Sequence, residues 1–513
     1  MDRLVAIERN QHYVHNDIDE WAEGPTRLHP INSHQYHYNS DPEGFHIVNG
    51  REAFRACWWL NDAVRDDGRT PALEANTRAD VCIVGGGFTG LWTALNIKKH
   101  APDADVVLLE REVCGSGASG RNGGFAMTMW HHFLLLENLC GTAQALRIAQ
   151  ASTDAITEIG EVCEASGTDV GFRQHGWIWT ASNRSQLGMW RATVDRLESH
   201  GVKLFEQLTP ADVARRTGSK SNVDGVFESG LASVQPAAVA RALRLVALEK
   251  GVRIHEYSPM TQLDRAETPV VRTARGSVTA GRVVMALNAW SGMLPELKGR
   301  FLTLGGDMFI TDPVPELIER IGIEPGLLIS DSRLLVHYYH VTPDGRLAFG
   351  KAGGTLRPGN SVGTKYEGPS RRADWVRNSM LRFYPEMAHV PITASWSGPV
   401  DRSMDGLPFF SRLGRPDIVA GLGYSGNGVG PSVLGGKILA SMALDRDDEW
   451  SSCGLVREPP RGVPPEPFRF IGGTLIKEAV GLKERAEDNE RRPNPLAVFM
   501  TKLAPPGLIP TDH

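Results

Sequence analysis

An α/β nucleus interleaved with an α+β, antiparallel-sheet region is the fold this sequence predicts, and three observations predict it. A short apolar run, Val81, Ile83 and Val84, empties into Gly85-Gly86-Gly87-Phe88-Thr89-Gly90, the pattern of a buried parallel strand turning into a helix. Two further glycine-rich loops, Gly115 to Gly124 and Gly423 to Gly430, each follow another apolar run. Between them, from Phe301 to about Ile392, the chain shifts to strand-like segments broken by a Pro343-Asp344-Gly345 turn.

Each glycine of the first loop has a mechanical task. Gly85 permits the tight turn, Gly87 lets a pyrophosphate approach the backbone, and Gly90 lets helix and strand pack closely. Phe88 and Thr89 open a helix that points free N–H groups and its positive dipole end at phosphates. A second strand, Val106 to Leu109, ends in Glu110 and Arg111, about 20 residues past the last glycine, where an acid grips ribose hydroxyls. Strand, glycines, helix, second strand and acid together predict a dinucleotide site.

The second loop, with Gly117, Ala118, Ser119, Arg121, Asn122, Gly123 and Gly124, decides which dinucleotide. A nicotinamide enzyme has no need of it. A flavin enzyme, which buries its whole cofactor, uses such a loop to line the diphosphate and ribityl chain. With these paired motifs the sequence resembles the D-amino-acid-oxidase-like superfamily of FAD-dependent amine and amino-acid oxidoreductases, in particular the branch of gamma-glutamylputrescine oxidase and the sarcosine oxidases. The likeness covers roughly Cys57 to Leu444.

The resemblance implies a discontinuous, Rossmann-like FAD-binding domain from residues 57–170, 228–300 and 395–450, and an antiparallel-sheet substrate domain from 171–227 and 301–394. It sets the backbone near Met260 against the adenine end and the Asn288-Ala289-Trp290 turn beside the cofactor. Asp405 precedes the third loop, whose Gly423, Ser425, Gly426, Asn427, Gly428 and Val429 lead to a helix starting at Pro431. A helix N-terminus aimed at the flavin pyrimidine edge stabilises the negative charge of the reduced flavin. Relatives often carry a histidine where Asn427 stands. FAD is expected without a covalent link, because relatives that attach it use a cysteine where this chain has Gly398, or a histidine where it has Asn122.

The chemistry so implied is oxidation of a C–N bond, with hydride passing to flavin N5 and the imine hydrolysing to a carbonyl compound. Asp307, His337, Tyr339 and Trp396 are the candidates to line the reacting centre. Lys351, after the Pro343-Asp344-Gly345 turn, is the candidate to assist electron transfer to oxygen, which favours an oxidase over a dehydrogenase using another acceptor. Carboxylate-recognising relatives place an arginine on the strand before that turn. His337-Tyr338-Tyr339-His340-Val341-Thr342 has none, although Arg333 and Arg346 lie close by, so the expected substrate is a primary or secondary amine, a polyamine derivative or an aminophosphonate among them. Two other readings stay open: a 2-hydroxy-acid or glycerol-phosphate dehydrogenase, and a non-catalytic assembly factor that needs FAD structurally.

Bulk properties bound the rest. The 513 residues, 41% of them apolar, are enough for two or three packed domains, and a formal net charge of −5 argues against a nucleic-acid partner. Six cysteines without CxxC spacing read as thiols in a reducing compartment. No membrane span or signal-like apolar run is apparent, so a cytoplasmic location is expected. Residues 1–56 form a polar extension holding six of the sixteen histidines, read as an arm over the body or a neighbouring subunit in a homo-oligomer; no metal site is assigned. The tail, 451–513, is proline-rich and then mixed in charge from Lys483 to Arg492, read as a solvated helix.

Overall fold

The structure, a computed structural model, describes residues 56–506 except 65–69, 361, 364, 365, 367 and 461. Residues 1–55 of the expected arm, with its six histidines, lie outside the described residues. The glycine motif begins where expected: the strand Thr77–Val84 runs into the helix Phe88–His100, and Val106–Leu109 follows as a fully buried strand. These strands sit in an eight-stranded sheet whose main order is Phe409–Arg412, Ile418–Leu422, Ser277–Met285, Thr77–Val84, Val106–Leu109 and Arg253–His255, parallel except at the Phe409–Arg412 edge and at the ribbon of Val270–Arg272 and Gln262–Asp264, which pairs antiparallel with Ser277–Met285.

Side-chain alternation along Thr77–Val84 splits the core in two. Val81 and Ile83 join a layer with Leu91, Ile156, Leu243 and Ile438 from four helices. Cys82 and Val84 face the other way, onto Val107, Leu109, Met285 and Phe301. Ahead of the helix Pro236–Glu249, the short strand Ala232–Ser233 pairs with Phe125–Ala126 outside the main sheet. The backbone there is spent on locking the second glycine loop, as Val234 N–H donates to Gly124 O at 2.9 Å.

A second eight-stranded sheet runs Ile392–Arg402, Leu302–Thr311, Leu347–Lys351, His337–Val341, Leu328–Asp331, Trp177–Ala181, Asp224–Glu228 and Phe205–Gln207. All pairs are antiparallel except Leu328–Asp331 with Trp177–Ala181. One face packs on the helix Ala373–Phe383 through Phe309, Tyr339, Phe349 and Phe383. The other carries Met308, Ile310 and Trp396 against Trp59 and Ala237. The Ile392–Arg402 strand runs straight through residues 394–395, where a domain boundary was expected, because its full length pairs with Leu302–Thr311.

The tail also differs from expectation. A helix spans Phe468–Asp488, beginning before the charged run, and a short helix Pro495–Thr501 packs on it.

The turn into the first helix tolerates no side chain at Gly90, where a β-carbon would lie 1.9 Å from the Gly85 carbonyl oxygen. Gly90→Ala is therefore expected to lower stability by about 2 kcal/mol or more, despite alanine's better helix propensity. Chemical denaturation with an unchanged midpoint would show that the turn relaxes freely.

Candidate functional site

The three glycine loops meet at the carboxyl ends of the parallel strands. Gly85 has φ +112°, and a β-carbon on it would fall 2.3 Å from the Ala286 carbonyl oxygen. Its N–H donates to Leu109 O at 2.8 Å, tying the first loop to the second strand. A β-carbon on Gly87 would come 2.9 Å from Ser119 Oγ, and Phe88 N–H donates to that same hydroxyl at 2.9 Å. The first two loops are thus one unit.

Glu110 is buried, and burial pushes its carboxyl up against the lowering effect of its hydrogen bonds. One oxygen accepts Gly86 N–H at 2.8 Å and the other accepts Glu112 N–H at 2.9 Å. The oxygen that accepts Glu112 N–H also takes the Ser116 hydroxyl at 3.4 Å, so the acid expected to grip a ribose also braces the glycine turn and keeps a lone pair for a further donor on the oxygen that faces Gly86. Arg111 lies over the Trp290 ring at 4.7 Å, and that ring is 3.5 Å from where a Gly117 β-carbon would be. Ser258 N–H donates to Glu110 O at 2.7 Å, which brings the segment leading to Met260 alongside the acid.

In the second loop, Ala118–Gly120 makes a 3-10 turn closed by Asn122, whose side chain donates to Ala118 O and Ser119 O and accepts Gly124 N–H. Arg121 is buried and donates to Ser116 O at 2.8 Å. Its carbonyl accepts the Trp396 indole N–H at 2.9 Å, and the Gly123 carbonyl bonds His340 Nε2 at 3.0 Å. A β-carbon on Gly398 would come 3.2 Å from the Arg121 β-carbon, and one on Gly123 2.8 Å from the Tyr338 ring. The sheet's loop-facing side is therefore the row of Tyr338, His340, Trp396 and Gly398.

Sheet register settles the remaining candidates. His337, Lys351, Asp307 and Ser397 form one row across four strands, so their side chains share the face opposite Tyr338 and Trp396. Tyr339, two residues from His337 in the same extended strand but packed with Phe309, Phe349 and Phe383, lies on that opposite face too. Lys351 Nζ is 2.7 Å from His337 Nε2 and 3.1 Å from Ser379 Oγ, over the Trp375 ring. His337 Nδ1 is 2.7 Å from Asp331 Oδ2, which also receives Arg333 Nε at 2.8 Å. Burial pulls Lys351 down to about 8 and His337 down to about 4. Burial works against the Asp331 carboxylate, but His337 and Arg333 hold it below the usual carboxylate range. Asp307 accepts Ser370 Oγ at 2.9 Å. Of the five residues expected at the reacting centre, alternation therefore sets Lys351, His337, Tyr339 and Asp307 on the face turned away from the glycine loops, and only Trp396 faces the loops.

The third loop is held by a buried carboxyl absent from the sequence reading. Asp401 Oδ2 accepts Gly423 N–H at 2.5 Å, its carbonyl accepts Ser425 N–H at 3.1 Å, and burial raises it to about 7. Gly423, Ser425 and Gly426 all have positive φ, as does Asn288, whose Oδ1 accepts Ala289 N–H at 2.6 Å. Gly428 passes over Tyr424, whose hydroxyl accepts Thr89 Oγ1 at 3.0 Å, and buried Val429 leads into the helix Pro431–Ala443. Asp405 pairs with Arg457 and caps Leu407 N–H, holding the preceding turn. Asn427 Nδ2 reaches Thr128 O at 3.3 Å and His131 Nε2 at 3.4 Å.

Sequence reasoning missed three further buried groups. Glu256 bonds Arg241 at 2.6 Å, Arg244 at 3.3 Å and Cys114 N–H at 2.7 Å, clamping the loop behind the acid. Glu228 accepts Thr128 Oγ1 at 2.9 Å, has no partner for its other oxygen among the described residues, and is raised by burial to about 8. Arg402 alternates onto the same side as Trp396 and Gly398, is 9% exposed, and has no hydrogen bond or ion pair among the described residues; burial lowers it to about 10. Its place beside the Asp405 motif was the only signal in the sequence.

The chain belongs to the FAD dependent oxidoreductase (DAO) family, whose model matches residues 80–442. It is an FAD-dependent oxidoreductase. It is 30% identical over 377 residues to gamma-glutamylputrescine oxidoreductase of Escherichia coli (strain K12), covering 72% of this chain and 84% of that one. To the probable oxidoreductase OrdL of Haemophilus influenzae it is 27% identical over 426 residues, 81% of this chain and 93% of the other. Among solved structures it resembles glycine oxidase from Geobacillus kaustophilus, with TM-score 0.61 and 20% identity over 75% of this chain and 100% of that chain. The arm and the tail lie outside the family match. Among the described residues no helix is long and apolar enough to cross a membrane, and all six cysteines are unpaired.

Glu228 gives a pH prediction. Its folded pKa near 8 lies above the unfolded value of about 4.3, so the folded state holds the extra proton between those values and stability falls as pH rises from 5 to 8. Glu228→Gln, which keeps the protonated shape, should flatten that fall by on the order of 3 kcal/mol. Parallel pH profiles of melting temperature for parent and variant would contradict this.

Proposed function

We propose that this chain oxidises a C–N bond of a primary or secondary amine, with FAD held non-covalently between the three glycine loops and the second sheet. The observation that carries the cofactor part is the tight turn at Gly85, Gly87 and Gly90, where the backbones of strand, helix and second loop close on one another with no room for a β-carbon, as a strand-to-helix diphosphate turn requires. Around it, the helix N-terminus at Phe88 suits a diphosphate, Glu110 keeps a lone pair on one oxygen for a ribose hydroxyl, and the helix at Pro431 suits the pyrimidine edge. Non-covalent attachment is supported at both positions where a link would form. Asn122 is spent on bracing its own loop, and Gly398 has only 3.2 Å to Arg121.

When bound, FAD supplies the two-electron acceptor for the hydride. The residues of this chain orient the substrate and exclude water. Tyr338, half-buried and edge-on to Phe125 at 6.0 Å, offers an aromatic wall on the loop-facing side. Such rings accept an amine without a carboxylate fork. Arg333 is tied to Asp331 and Asp488, and Arg346 to Asp344, so neither is left to recognise an acid. Gamma-glutamylputrescine, the substrate in the name of the Escherichia coli relative, fits this class. A cytoplasmic location agrees with six free thiols.

A second reading, an amine that also carries an acidic group, is favoured by Arg402 alone. An unpaired buried guanidinium invites an anion, from either the cofactor or the substrate.

Anaerobic addition of amines to the purified yellow protein is the test of the function. Bleaching by polyamine-type amines, with simple amino acids slow, is expected, and acid precipitation should leave free FAD in the supernatant. Bleaching by 2-hydroxy acids instead, or by nothing, would overturn the reading, and a yellow pellet would overturn non-covalent binding.

The reading as an oxidase in preference to a dehydrogenase loses its support from Lys351, whose side chain lies on the face of the sheet turned away from the glycine loops. Lys351→Met should leave reoxidation of the reduced protein by oxygen within about twofold, since its ammonium lies on the far face of the sheet, while thermal stability changes. A loss of more than tenfold in the oxygen half-reaction alone would restore the lysine to the site.

A further inference from the structure

Arg402 closes the strand Ile392–Arg402 and is buried, yet it has no hydrogen bond or ion pair among the described residues. The other buried arginines are all answered. Arg121 bonds Ser116 O, Arg241 and Arg244 share Glu256, Arg333 meets Asp331 and Asp488, and Arg469 meets Glu466. The nitrogens of Arg402 are not sealed off, so the little exposure it keeps includes the charged head. Its register partner Leu302, and Val400 on the same side of the strand, are half-buried, whereas Trp396 further up that side is fully covered.

Hydrogen bonds on both flanks fix where Arg402 stands. Asp401 accepts Gly423 N–H on its carboxylate and Ser425 N–H on its carbonyl, and it takes the Asn288 side-chain amide. On the other flank Ser403 N–H donates to Ser425 Oγ at 3.2 Å. Arg402 is thereby pinned beside the third glycine loop and the Asn288 turn. Along the carboxyl edge of the parallel strands the order is Glu110, the first glycine turn, the Asn288 turn and the third loop, because the strands that lead to them are neighbours in that order. A dinucleotide with its adenosine ribose at Glu110 and its diphosphate at Gly85 to Gly90 carries its riboflavin side toward Asn288 and the third loop. Two strand spacings, about 10 Å, separate that loop from the first turn.

The acidic group of a substrate is the competing anion, and its place is less favourable. The Tyr338 hydroxyl, at the end of the aromatic wall, lies 3.7 Å from a β-carbon position at Gly306, in the row of Gly398. Arg402 is four residues further along that strand, about 13 Å away. We propose that Arg402 is a cofactor-binding residue, its guanidinium taking the phosphate on the riboflavin side of the FAD diphosphate. A phosphate is ionised in both redox states and matches the planar fork of an arginine, so it compensates the buried charge throughout turnover. This assignment rests on the placement of FAD between the three glycine loops.

Titration of the full-length apoprotein with FAD, read by quenching of flavin fluorescence, is the test, with melting temperatures of the apo- and holoprotein beside it. Arg402→Met should weaken FAD binding about tenfold or more, and Arg402→Lys, which keeps the charge without the fork, should recover part of the loss. The Arg402→Met apoprotein should melt no lower than the parent apoprotein, since an unpaired buried charge is gone, while the rise in melting temperature on adding FAD shrinks. Equal losses in the apo- and holoprotein would make the arginine purely structural and overturn the proposal. Unchanged FAD affinity overturns it as well; a KM for acid-bearing amines raised more than tenfold would then give the arginine to the substrate. Affinity lost only on reduction, read as a lower midpoint potential, would contradict the phosphate and move the guanidinium to the flavin ring. A parent apoprotein that takes up no FAD overturns the placement of the cofactor itself, and this assignment with it.

Discussion

A β-carbon at Gly90 would lie 1.9 Å from the Gly85 carbonyl, and one at Gly85 2.3 Å from the Ala286 carbonyl. Three backbone segments therefore close on one another with no side chain between them. The strand Thr77–Val84, the helix after it and the Ser277–Met285 strand reach this closeness only where glycine stands. All that lies toward the cofactor inherits its position from that junction. The second loop hangs from it through Ser119, and the third through the Tyr424–Thr89 hydrogen bond.

Buried carboxylates keep the loops from fraying. Glu110 accepts N–H groups from Gly86 in the glycine turn and from Glu112 at the start of the second loop, Glu256 holds the Cys114 N–H and pairs with two arginines, and Asp401 holds Gly423. Each pairs with donors that would otherwise be stranded, so removing one costs the desolvation of its partners as well as the bond. Glu228 and Arg402 are the exceptions. They bury charge-bearing groups without full compensation, the kind of local cost that functional sites retain and packed cores discard.

The first two glycine loops were legible in the sequence because their signals are local: Gly85 to Gly90 and Gly115 to Gly124 each fix a turn within a few residues. The face of the second sheet was not. His337 and Tyr338 are adjacent in sequence and point opposite ways, and which one meets Gly123 depends on the register of strands more than 200 residues downstream of that loop. A one-residue slip in that reading moves Lys351 from the loop-facing side to the helix-covered side. Asp401 and Glu228 escaped for another reason, since a lone acid in an alternating strand looks like a solvated one until its neighbours are known. In the tail, the charges from Lys483 onward drew attention from the apolar spacing of Phe468, Ile471, Leu475 and Leu482, which carries the helix.

Hydrogen exchange with and without FAD tests the central claim, that the three loops form one cofactor cradle beneath the Tyr338–Trp396 face. The account predicts that FAD slows exchange together in residues 85–90, 115–124 and 423–430, and in the strand His337–Val341 that covers them. Protection confined to the first loop, with the third loop and the strand unchanged, would contradict it.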